Sequence, residues 1–188
     1  QHTSKATVQD LIDANKMVAI ARDYANTKII IKSIDLDKLA LLVVSDASWG
    51  NNHDLCSQGA YMLLAVDETI ADGQWGTISP LRWRSHKLER QTQSTLGAEL
   101  MSLSKALAEG AWMRSLFAEA LNDDYELSND KDLSKKMLMI AVIDNKPVYD
   151  HVHGDGVVVK DKRLAIDMLI VKKDVRADNI ILRWVDTR

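Results

Sequence analysis

The chain has 188 residues, 46% of them hydrophobic and 27% charged, with a formal net charge of −3. That is the composition of an ordinary globular domain, and its mild acidity speaks against a protein held to nucleic acid by bulk electrostatics. No apolar run approaches the ~20 residues of a membrane span, and the lone Cys56 excludes an intrachain disulfide and a thiolate zinc site.

The sequence opens on Gln1 without an initiator methionine and stops at Arg188 just past an apolar run, so it reads as a piece of a longer polypeptide. Residues 7–24 predict a helix, with Val8, Leu11, Ile12, Met17, Val18 and Ile20 giving much of an apolar face that needs burial. Lys28 to Lys32 predicts a short Ile-rich strand, and Asp35 to Lys38 a turn. The run Leu41 to Asp46 predicts a buried strand closed by an acid, followed by a loop over Ser48 to Asp54. Ser57 to Val66 and Gly76 to Ser85 predict two further strands around a turn-rich Asp67 to Gly73, close enough to form an antiparallel meander.

A long helix is predicted from Thr95 to Leu121, with Leu96, Leu100, Leu103, Leu107 and Ala111 along one face. Asn122 to Lys135 reads as an exposed acidic loop, and Met137 to Asp144 as a second buried strand ending in an acid. Pro147 opens a short helix, His151 to Gly156 reads as a loop, Arg163 to Val175 as a helix and Ile180 to Val185 as the last strand. The order βββ-α-β-α-α-β predicts an α/β domain with a mixed sheet flanked by helices.

Chemistry concentrates in the two strand-end acids and in Glu99, which borders the apolar stripe of the long helix. Taken singly, each aspartate reads as a turn or cap residue and Glu99 as a boundary residue whose head reaches water. Brought to one rim of the sheet, three carboxylates repel unless cations sit among them, and a pair of magnesium ions satisfies that need. Arg82, Arg84, His86, Lys87 and Arg90 form a small basic patch just ahead of the Glu99 helix, readable as a phosphate contact or as a charged strand edge. His151 and His153 with Asp155 invite a zinc reading, but loop histidines without a metal are commoner.

Four segments carry a family resemblance: Val44-Ser45-Asp46-Ala47-Ser48-Trp49, Trp83-Arg84-Ser85-His86-Lys87, Ser94 to Leu103, and Ile143-Asp144-Asn145. Their order and spacing resemble the ribonuclease H domain of copia-type retrotransposon polyproteins, with the tail of the reverse transcriptase in front. Ala165-Ile166-Asp167 and Leu182-Arg183-Trp184-Val185 are similar to that family's last helix start and final strand. The resemblance covers residues 41–188 well and residues 7–40 more loosely, and it implies that residues 1–40 are a reverse-transcriptase or connection tail.

That resemblance implies a ribonuclease H-like five-stranded sheet: three antiparallel strands, then two parallel additions, with an N-terminal helix-strand extension. It implies hydrolysis of the RNA strand of RNA–DNA hybrids during reverse transcription, with Asp46, Glu99 and Asp144 holding two Mg2+ ions that Mn2+ can replace. Asp46 would bridge both ions. The family's fourth acid lies in a helix beyond the last strand; Asp186 comes too early to match it, and Asp167 reads as a helix cap. Ser48, Thr95 and Asn145 are candidates for reading the 2′-hydroxyl, and Arg84 and Lys87 for phosphate. Implied partners are the hybrid and the reverse transcriptase portion of the same polyprotein, with no membrane, in an intracellular setting: a cytoplasmic virus-like particle or the nucleus. Two readings compete, a catalytically impaired scaffold or connection module and a DNA-directed nuclease of the same fold.

Overall fold

The computed structural model describes residues 6–52, 55–155 and 161–186. The chain divides into two compact units, residues 1–30 and 31–188.

In the first unit, α1 runs Val8–Asp23. Its start is set by a capping box: Thr7 Oγ1 accepts the Asp10 N–H at 3.2 Å while Asp10 Oδ2 accepts the Thr7 N–H at 2.7 Å. The helix buries none of its residues. Val8, Leu11, Ile12, Met17, Val18 and Ile20 are exposed. Residues 28–32 form no strand. Ile29, Ile30 and Ile31 are exposed, and a β-prone run becomes a strand only where a neighbouring backbone completes its ladder.

The second unit is built on a five-stranded sheet of order β3-β2-β1-β4-β5. Lys32 joins it by exchanging hydrogen bonds with the Ser79 hydroxyl, at 2.8 Å from its N–H and 2.9 Å to its carbonyl. A 3-10 turn over Leu36–Lys38 leads into β1, Leu39–Ser48, which pairs antiparallel over its full length with β2, Gln58–Asp67. β2 in turn pairs antiparallel with β3, Ile78–Lys87. On the other side of β1, β4 (Met139–Ile143) and β5 (Ile180–Trp184) add parallel. The mixed sheet predicted from the element order is therefore the one observed.

Helices connect these strands: α2 (Thr95–Leu121), α3 (Asp130–Ser134), α4 (Lys146–His153) and α5 (Lys162–Ala177). The acidic stretch predicted as a loop thus holds a short helix, because Leu133 is buried and fixes one turn against the core. His151 and His153, predicted in a loop, lie within α4, whose start is fixed by the Asn145 side chain accepting the Val148 N–H at 3.0 Å.

Strand alternation sorts the core into two layers. Leu41, Val43, Tyr61, Leu63, Met139, Ala141 and Leu182 pack under Leu100, Leu103 and Leu107 of α2. Ala40, Leu42, Leu64, Val66 and Ile140 form a smaller cluster on the opposite face, beside Ile70 and Ala71. Gly110 lets α2 lie close on the sheet: a Cβ there would stand 2.7 Å from Met139 Sδ and 3.1 Å from Val43 Cγ2.

Arg114 fastens the far end of α2. It is buried, its Nε donates to the Ser134 carbonyl at 2.8 Å and its Nη1 to the Asp178 carbonyl at 2.6 Å. One guanidinium thereby joins α2 to the ends of α3 and α5. Burial pushes its pKa down, with Asp178 opposing the shift. Arg114→Ala should cost about 2–4 kcal/mol by orphaning these carbonyls and opening a void. The urea midpoint measures it, and a loss below about 0.5 kcal/mol would show that the fork contributes only geometry.

Candidate metal centre

β1 and β4 are parallel neighbours in register Val44↔Val142. Asp46 lies two residues beyond Val44, and Asp144 two beyond Val142, so the two acids stand level at one edge of the sheet, on adjacent strands about 4.8 Å apart. Asp46 is not the last residue of its strand, as the sequence predicts; β1 continues through Ser48, paired with Gln58. Asp144 directly follows β4.

Glu99 reaches them from α2. Ser94 caps that helix by accepting the Gly97 N–H at 3.2 Å, which fixes the first turn and places Glu99 in the second. The Leu100 and Leu103 stripe seats the helix on the sheet and carries Glu99 into burial, at 6% exposure. Its carboxylate accepts a hydrogen bond from the Ala47 backbone, yet its Oε2 atom is buried without a hydrogen-bond partner among the described residues. Burial, then the nearby Asp46 and Asp144 carboxylates, push its pKa up to about 8.

Asp46, Glu99 and Asp144 each offer one carboxylate oxygen, and these oxygens lie within 4.8 Å of one another. An all-oxygen donor set with a buried, unpartnered carboxylate atom suits a hard divalent cation such as Mg2+ or Mn2+. The residues present therefore fit the metal ions expected from the sequence.

The backbones of the two aspartates are held from elsewhere in the fold. Ser102 Oγ lies 2.8 Å from the Asp46 carbonyl oxygen, and Trp184 Nε1 donates to the Asp144 carbonyl at 3.0 Å. The sequence reading missed both residues. Ser102 had a visible signal, a hydroxyl three residues after Glu99 on a helix face otherwise apolar. Trp184 had none beyond its type, since its reach to Asp144 depends on β4–β5 pairing.

The remaining candidates are spread around this edge. Ser48 is half-buried at the end of β1, and Thr95 is exposed at the first position of α2. The Asn145 carbonyl oxygen of the side chain is engaged as the α4 cap. Arg84 and Lys87 are exposed on β3, paired with Tyr61 and Gln58; one strand, β2, separates them from β1, a distance on the order of 10 Å.

Two members of the predicted basic patch form ion pairs within the fold. Arg82 pairs with Glu109 at 3.2 Å and lies over the Trp112 ring, and Arg90 pairs with Asp167 at 2.6 Å. His86 is pushed toward its neutral form, first by burial and then by Arg84 and Lys105. Asp167, expected as a helix cap, is thus an ion-pair partner; Asp161 caps α5 through the Arg163 and Leu164 N–H groups. The His151 and His153 Nδ1 atoms contact the carbonyls of Pro147 and Tyr149 within α4.

No protein-family model matches the sequence, and no curated protein matches it. Among solved structures, the chain is similar to LC11-RNase H1, isolated from compost by a metagenomic approach. That match has 16% identity over 79% of this chain and 85% of that one, with a TM-score of 0.50. It is also similar to the foamy viral protease-reverse transcriptase solved in complex with an RNA/DNA hybrid, at 11% identity over 98% of this chain with a TM-score of 0.51. This chain spans 24% of that viral one. At such identities the likeness speaks to architecture, and the sheet order agrees with it: the second unit has the ribonuclease H fold.

Proposed function

We propose that this protein is a divalent-metal-dependent endonuclease that hydrolyses the RNA strand of RNA–DNA hybrids, acting as part of a retrotransposon reverse-transcription polyprotein. The observation that carries the reading is the meeting of Asp46, Glu99 and Asp144, with one carboxylate oxygen of each within 4.8 Å of the others. Hydrolysis of a phosphodiester needs negative charge neutralised on both sides of the phosphorus, and a cluster of fixed acids is how a protein gathers the cations for it. The names of two structural neighbours, an RNase H1 and a reverse transcriptase bound to an RNA/DNA hybrid, support the same substrate class.

Asp46 and Asp144, exposed at the sheet edge, would meet the ions from the solvent side, and Glu99 from below. A pair of Mg2+ ions, or Mn2+ in their place, would supply the acid that activates water and stabilises the departing ribose 3′ oxygen. Asp46, on the central strand β1, would hold both ions. Glu99 must surrender its proton for the site to fill, so its raised pKa couples metal uptake to pH. Ser48, Thr95 and Asn145 would contact the RNA strand across the minor groove, and Arg84 and Lys87 the phosphates further along. Residues 1–40 would be the tail of the reverse transcriptase or connection, and residues 41–188 the nuclease proper.

A hybrid labelled separately on each strand tests this. The expected result is cleavage of the RNA strand alone, slow in Mg2+, at least several-fold faster in Mn2+, and absent in EDTA, because Mn2+ binds a three-carboxylate site more tightly. Preferential cutting of duplex DNA would favour the DNA-directed reading, and no metal-dependent cleavage with intact Mn2+ binding would favour the scaffold.

A further inference from the structure

A metal centre works only if its carboxylates keep a fixed spacing, so a contact tying the Glu99 helix to the Asp46 strand bears directly on it. The fold supplies one close by. Ser102 lies on α2 three residues beyond Glu99 and is fully buried. A buried helical serine commonly returns its hydrogen to its own helix, four residues back. Here the hydroxyl is directed at the sheet, 2.8 Å from the Asp46 carbonyl oxygen and 3.1 Å from that of Ala60. Asp46 and Ala60 face each other across the β1–β2 pair, so one hydrogen is shared between the two strands at the level of the acid. Gly59 makes the approach possible: a Cβ there would stand 3.1 Å from Ser102 Oγ and 2.7 Å from Leu88 Cδ2.

We propose that Ser102 is a positioning residue of the metal centre, clamping the turn that carries Glu99 to the backbone of Asp46 and thereby setting the spacing of their carboxylates. The inference rests on the metal-centre reading above and extends it to a residue that touches neither ion nor substrate. Ser102→Ala removes the donor without adding volume. The carbonyls lose a partner, and the turn that carries Glu99 loses its tie to the Asp46 strand.

The test is Mn2+ binding to the full chain by calorimetry, at a temperature where circular dichroism shows every variant folded. Leu107→Ala serves as the control, since Leu107 is buried on the same helix beyond Ser102 and its loss destabilises without contacting the acids. Ser102→Ala should raise the Mn2+ dissociation constant about 5–10-fold, at the low end of what outer contacts of metal ligands contribute, while Leu107→Ala stays within about twofold of wild type. A residue with a merely structural role would lower the unfolding midpoint and leave the affinity alone. Affinity unchanged in Ser102→Ala, or weakened equally in Leu107→Ala, overturns the positioning role. If Ser102→Ala does not fold, Ser102→Cys, close in size and a weaker donor, replaces it with an expected two- to threefold loss; wild-type affinity there overturns the proposal. Equal Mn2+ binding by wild type and Asp46→Asn would instead show that the metal-centre reading has failed.

Discussion

Asp46→Asn should reduce metal-dependent hydrolysis of a hybrid by on the order of 10³-fold or more, equivalent to about 4 kcal/mol of transition-state stabilisation. The substitution keeps the size of the side chain and the β1 backbone, so the fold has no reason to change. What it removes is the charge proposed to hold both ions, and neutral amide oxygen is a poor substitute for carboxylate toward Mg2+ or Mn2+. The same loss relieves Glu99, whose raised pKa owes its second-largest cause to Asp46. The variant should therefore melt at or slightly above the wild-type temperature in EDTA while failing to cut. Activity retained within tenfold would place the chemistry elsewhere in the chain.

Glu99→Gln should abolish cleavage as thoroughly and also change how stability depends on pH. Glu99 has a folded pKa of about 8 against an ordinary value of 4.5. A carboxyl raised in this way binds its proton more tightly when folded. Its contribution is complete below pH ~4.5 and is lost as pH rises toward 8, where the folded state must carry a buried charge beside Asp46 and Asp144. Metal-free wild type should thus lose on the order of 2–4 kcal/mol between pH 5 and 9. The glutamine amide of the variant carries no charge at any pH and its oxygen could still accept the Ala47 N–H, so its profile should be much flatter. In wild type, saturating Mg2+ at pH 8 should recover the lost stability and release close to one proton per site near pH 7. Urea midpoints across this range in EDTA and in Mg2+ measure both effects, and superimposable EDTA profiles for the two proteins would contradict the burial argument.

Much of this architecture is legible in the residues because it is set locally. Ser94 before a periodic run of leucines is a cap followed by an amphipathic face, and α2 begins at Thr95 and ends at Leu121 as that pattern predicts. The apolar runs ahead of Asp46 and Asp144 are buried strands, since only the centre of a sheet accommodates such continuous hydrophobicity. The three acids could be picked out by residue type and by family resemblance. Lys28 to Lys32 misled because β-propensity describes a fit to a neighbouring strand, and among the described residues no strand forms a backbone ladder with it. Within the basic patch, the pairing of Arg82 with Glu109 and of Arg90 with Asp167 was invisible in the sequence, because only folding brings those partners near.

Most of the second unit's elements, their order and the chemical types at the site were thus written in the residues, because capping, periodicity and strand burial are properties of chain neighbours. Packing between distant segments settled the rest. It set Asp46 and Asp144 level through the parallel register of β1 and β4, and it stripped Glu99 of its solvent and one hydrogen-bond partner. It also brought Ser102 and Trp184 onto the aspartate backbones. Distances and burial of this kind arise between segments far apart in the chain, and a pKa near 8 for a glutamate follows from them rather than from any local pattern.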